Sequence, residues 1–119
     1  MKDINGEITY KGKTYNFVFN LNVMEAIQDE YGTIDHWGEL TDGGADGEPN
    51  AKALIFGMTE MLNEGIMIDN DNATSEADLK NLLTRRQVGR MLTEIGLKGV
   101  TKVMNETILD STKGESKNE

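Results

Sequence analysis

A chain of 119 residues with 37% hydrophobic side chains points to one domain with a thin core. It has no cysteine, which excludes disulfides, thiolate metal sites and a cysteine nucleophile. The formal charge of −9 gathers over residues 20–83, where fourteen acids face only Lys52 and Lys80, and such a body repels nucleic acid and anionic lipid.

Both flanks depart from this acidity: residues 1–19 hold three bases against two acids, and residues 84–119 seven against five. No apolar run approaches the roughly 20 residues of a membrane helix. Met1–Gly6 lacks the apolar centre of a signal peptide. A soluble protein is the expectation.

Glu7–Tyr10 and Thr14–Phe19 are predicted strands joined through Lys11-Gly12-Lys13. Alternation puts Tyr15, Phe17 and Phe19 on one face, with Ile8 and Tyr10 as the matching face of the first strand. Two strands alone are marginal in water, so this hairpin must pack against helices.

Asn22 stands where an N-cap belongs, and Glu25 three positions on completes a capping box. The helix that follows carries an apolar face of Val23, Met24, Ile27 and Tyr31, and Gly32 is its stop. Thr33–Leu40 reads as a short helix begun by Asp35 and anchored by Trp37 and Leu40.

The glycine-rich, acidic Thr41–Gly47 is a loop, after which Pro49 suits the first turn of a helix. Leu54, Ile55, Met58, Met61 and Leu62 recur at helical spacing and predict a helix over Pro49–Asn63, with Gly65 ending it. Asp69–Asp78 is a second acidic loop.

Thr84 and Gln87 form another capping box, followed by the stripe Val88, Met91, Leu92 and Ile95 and a stop at Gly96. Val100, Val103, Met104 and Ile108 predict a final helix, and Ser111–Glu119 a flexible polar tail. The expected fold is α+β and predominantly α: an N-terminal β-hairpin and about four helical segments in a single domain, residues 1–110.

Most chemical motifs fail on inspection. Asp69-x-Asp71 resembles the start of a calcium loop, but Thr74 and Lys80 occupy the positions that need glycine and glutamate. His36 is the only histidine, so it would have to share a metal with carboxylates alone. The glycines Gly43, Gly44 and Gly47 lie among acids that repel phosphate. Leu92, Lys102 and Asn105 break the helix-turn-helix pattern around Gly96. Neither a catalytic residue nor a cofactor or metal ligand is expected.

Two features remain. Arg85 and Arg86 occupy the first turn of their helix against its dipole, at a cost of roughly 0.3–1 kcal/mol each. Either the loop Asp69–Asp78 folds back to neutralise them or a partner's carboxylates do. Methionines on helix faces are by default core, yet they also suit surfaces that adapt to varied apolar partners. The candidate partner-binding residues are accordingly Arg85, Arg86, Arg90, Met58 and Met61.

The order of "YKGKTYNFVFNLNVMEAIQDEYGTIDHWGEL", "KALIFGMTEMLNEG", an acidic loop and "LTRRQVGRMLTEIGL" resembles the small tail assembly chaperones of long-tailed bacteriophages and related prophages of Gram-positive bacteria. The resemblance covers roughly residues 7–110. It implies a non-enzymatic protein of the host bacterial cytoplasm that coats the tape measure protein and delivers it to tail tube protein subunits. It implies neither a nucleic-acid nor a membrane partner, and a homo-oligomer is compatible with it. A structural head–tail connector or tail completion protein, or an inhibitor of a host enzyme, is the alternative.

Overall fold

The structure, a computed structural model, describes residues 4–43, 47–96, 99–104, 106 and 108. The expected polar tail therefore lies outside the described residues, as does the centre of the glycine-rich loop. The fold is α+β and predominantly helical, with an N-terminal antiparallel hairpin followed by helices.

Strands β1 (Ile4–Tyr10) and β2 (Lys13–Phe19) pair in the register Ile4↔Phe19 to Tyr10↔Lys13. Their connection is one residue tighter than the sequence spacing implies. Lys11 and Gly12 alone form it, both at positive φ (51° and 75°), as a two-residue type I′ turn requires. Ile4, Ile8, Phe17 and Phe19 on one face are buried, and Tyr10 and Tyr15 pack beside them half-buried. The Phe17 ring covers Gly6 across the pair, where a Cβ would meet its Cζ at 2.2 Å.

Helix α1 (Leu21–Tyr31) starts two residues earlier than its Asn22–Glu25 pattern predicts. Asn20 is the N-cap, its Oδ1 accepting from the Val23 N–H at 3.3 Å. Asn22 has a different role. Its amide and that of Asn20 both donate to Glu64 Oε2, at 3.1 and 2.8 Å. Glu64, only 8% exposed, thus joins the start of α1 to a helix 44 residues away, with its charge at the favourable end of the α1 dipole.

Helix α2 (Ile34–Asp42) is capped by Thr33, whose Oγ1 accepts from the His36 N–H at 3.0 Å. Trp37 is its anchor: the indole is 2% exposed and donates from Nε1 to the Ala53 carbonyl at 2.9 Å. The chain then closes back, the Asn50 N–H donating to the Leu40 carbonyl at 2.8 Å.

Helix α3 (Ala51–Asp71) is the spine; it starts two residues later than expected and runs eight residues further, past Asn63. Pro49 lies before the helix, and Asn50 caps it by accepting from the Ala53 N–H at 2.9 Å. Gly65 sits within the helix instead of ending it. There the helix passes so near β2 that a Cβ would lie 3.0 Å from the Asn16 carbonyl oxygen. Glycine serves close approach here, a reason the linear pattern does not reveal.

After α3 the chain makes a short 3-10 turn (Glu76–Asp78) and runs back extended to α4 (Arg85–Ile95). Both halves of the Thr84–Gln87 capping box form, with Gln87 N–H to Thr84 Oγ1 at 3.1 Å and Thr84 N–H to Gln87 Oε1 at 2.8 Å. Val88, Met91 and Leu92 are buried, while Ile95 packs on the core half-buried. Residues 99–104 are helical again, with Val100 and Met104 fully buried and Thr101 Oγ1 donating to the Thr41 carbonyl at 3.3 Å.

Candidate partner-binding surfaces

Met58 and Met61 are both 0% exposed and belong to the central core with Leu54, Leu62 and Ile27. They are not a binding surface, which corrects the reading of the methionine stripe. The reason is the depth of α3. It packs on β2, α1, α2 and α4, so its apolar positions are enclosed from several sides. Burial of each stabilises the fold by roughly 1.5–3 kcal/mol.

The three arginines are exposed on α4 but do not form one cluster. Arg85 lies over the Phe56 ring, 5.8 Å from its centroid. Phe56 in turn meets Tyr31 edge to face at 5.6 Å. Burial pushes the Tyr31 phenol up, with Glu30 adding to the shift and Arg85 opposing it. Its hydroxyl has no hydrogen-bond partner among the described residues. Arg85 is therefore occupied within the fold, where a cation–π contact of this kind contributes about 0.5–1 kcal/mol.

Arg90 turns the other way. It shares a cleft with Lys11, Tyr10, Tyr15 and Gln87 of the hairpin and α4. Arg86, four residues before Arg90, projects from the same exposed side of α4. The acidic loop does not neutralise any of the three: Asp69 pairs with Lys80 at 3.1 Å, and Asp78 accepts from the Ser75 hydroxyl. The only other ion pair among the described residues is Lys52–Glu30 at 3.7 Å.

A surface that sequence reading missed surrounds the extended chain before α4. Two α3 asparagines hold it by its backbone. Asn63 donates to the Leu83 carbonyl at 3.0 Å and accepts from its N–H at 2.8 Å. Asn70 does the same for Lys80, at 3.0 and 2.9 Å. Two turns of helix separate the clasps, so both amides point to one side, and Met67 lies between them on the same stripe. The segment is thus held through its main chain, with Leu83 packed on the core and Leu79 and Leu82 exposed by 53% and 49%; Met67 of α3 is 42% exposed. Asp69, Asp71, Glu76 and Asp78 are the acids in the same stretch of chain. The signal was present in the sequence as leucines within "DLKNLL", but nothing local distinguished outward leucines from core ones.

Between the extended segment and β2 runs a groove of about 550 Å³, floored by Leu62, Gly65 and Ile66 of α3. Its charged rim is balanced by Glu7, Lys13 and the Asp69–Lys80 pair. Among the described residues no three His, Asp or Glu side chains gather where a metal ion could be held, and no helix is long and apolar enough to cross a membrane. His36 is exposed at the start of α2.

Comparison of the chain with known protein families, curated proteins and solved structures finds no match in any of the three.

Proposed function

We propose that the protein is a non-catalytic tail assembly chaperone that acts in the host bacterial cytoplasm. It binds the tape measure protein and assists assembly of the tail tube. The order of elements and local phrases across residues 7–110 supplies the family reading. The structural observation that supports it is the exposure of the apolar side chains Leu79, Leu82 and Met67 in a stretch of chain that also carries four acids. A tape measure exposes apolar helix faces until the tube encloses it, and a rigid apolar strip can shield part of such a face. The acidic surroundings keep the complex dispersed. Many weak contacts along one long chain suffice, because multivalency multiplies them.

Co-expression with a tape measure protein from the same genome tests this reading. The expected result is that the tape measure becomes soluble and is recovered with the tagged chaperone. A tape measure that stays insoluble and brings down none of this protein removes the proposal.

A further inference from the structure

The cleft between the hairpin turn and α4 has a charge opposite to that of the molecule around it. Its volume is about 260 Å³, with Lys11 on the hairpin wall and Arg90 on the helix wall. Lys13, at the start of β2, lines the neighbouring groove and stands over Tyr15, a residue of both. None of the three forms an ion pair with a described acid, although the chain holds 21 acids against 12 bases. The lysines are also placed: Lys11 Nζ lies 5.3 Å from the Tyr10 centroid and Lys13 Nζ 5.5 Å from that of Tyr15.

Gln87 adds directed donors. Its Oε1 is taken by the Thr84 N–H, so the amide NH₂ remains for the cleft. The floor is apolar where Met91 closes it, 2% exposed. The polar chemistry offered is thus two cations, an amide donor and two phenols, with no carboxylate in the lining. Like charges on facing walls repel until an anion enters between them.

We propose that this cleft docks an acidic segment of a partner protein, with Glu or Asp carboxylates held between Lys11 and Arg90. Charge complementarity selects the occupant, and the surroundings narrow it. A nucleic acid would extend beyond so small a cleft onto a body bearing fourteen acids over residues 20–83, which repels a continuous polyanion. A peptide can place one or two carboxylates in the cleft and keep its remaining length neutral. Arg90 has geometry for a bidentate carboxylate, and Lys11 serves as a point charge. The inference rests on reading the protein as a partner-binding module, but not on which partner the apolar strip holds.

The test is a titration of the full chain with a fluorescent peptide of alternating glutamate and alanine, followed by anisotropy and by amide NMR shifts. Saturable binding is expected, with shifts centred on Tyr10, Lys11, Gln87 and Arg90. The double variant Lys11→Glu/Arg90→Glu should weaken binding about tenfold or more, since charge-pair losses are of that order. The charge-matched variant Lys52→Glu/Lys102→Glu, at exposed lysines outside both surfaces, should stay within about twofold. Absence of saturable binding, shifts centred elsewhere, or equal loss in both double variants overturns the proposal. Tighter binding of a single-stranded oligonucleotide of equal charge overturns it in favour of a nucleic-acid site. Peptide binding lost while tape measure capture persists would remove the cleft alone; the reverse outcome would remove the chaperone reading alone.

Discussion

Replacing Gly57 with alanine destabilises the domain by about 2 kcal/mol or more, although alanine is the better helix former by about 1 kcal/mol. The cause is the Trp37 indole. A Cβ on Gly57 would lie 2.3 Å from Cζ2 and 2.8 Å from Cε2 of a ring that is 2% exposed. The ring can yield only by leaving its pocket, which also breaks the Nε1–Ala53 carbonyl hydrogen bond. A buried bond of this type contributes about 1 kcal/mol. Gly38 provides the internal comparison. It lies in α2, and a Cβ there meets nothing within 4 Å. Gly38→Ala should therefore raise stability by about 0.5–1 kcal/mol. Thermal unfolding followed by circular dichroism reads both, and the signs of the two shifts should be opposite. Equal signs would mean that Trp37 is not packed on α3 as described.

Ile27→Asp has the larger effect: it unfolds the domain. Ile27 is 0% exposed in the central cluster, where α1 meets α3. The substitution removes a buried aliphatic side chain, a loss of about 2–5 kcal/mol, and leaves an unpaired carboxylate in its place. Those two terms together are comparable to the whole stability of a small domain, about 5–15 kcal/mol. Loss of helical ellipticity at room temperature is the expected readout. Ile27→Val is the matched control and should cost only about 0.5–1.5 kcal/mol. A folded Ile27→Asp protein that had lost only a partner would turn α1 from a joint into a binding face.

The parts of this fold visible in the sequence are those decided by neighbours. Alternation placed Tyr15, Phe17 and Phe19 on one face because strand geometry depends on nothing beyond the strand. Thr84 and Gln87 cap α4 because both partners of the box lie within one turn. Failures begin where a distant residue decides. Asn20 and Asn22 are both acceptable caps locally, and Glu64, 42 residues beyond Asn22, assigns their roles. Gly65 has the appearance of a helix stop, but its reason is the Asn16 carbonyl of another element.

The binding surfaces show the same division. Arg85, Arg86 and Arg90 were identifiable as the main basic group of an acidic chain. Their separation into a Phe56-bound arginine and two outward ones depends on how α4 is turned against α3 and the hairpin. Met58 and Met61 share their helical pattern with any amphipathic surface, and only the packing of several elements around α3 buries them. Leu79 and Leu82 went unnoticed for the opposite reason. An extended segment held by Asn63 and Asn70 has no periodicity to separate its outer side chains from its inner ones.

The central claim is that the apolar strip on the extended segment holds the partner. Leu79→Ser/Leu82→Ser tests it most directly, because both side chains are about half exposed and the asparagine clasps engage only the backbone of this segment. The measurement is recovery of co-expressed tape measure protein on the tagged variant, with a thermal melt of the variant alone. The account predicts a melting temperature within a few degrees of the parent protein, as expected of surface substitutions, and loss of most of the captured tape measure. Undiminished capture by a folded double variant would contradict it.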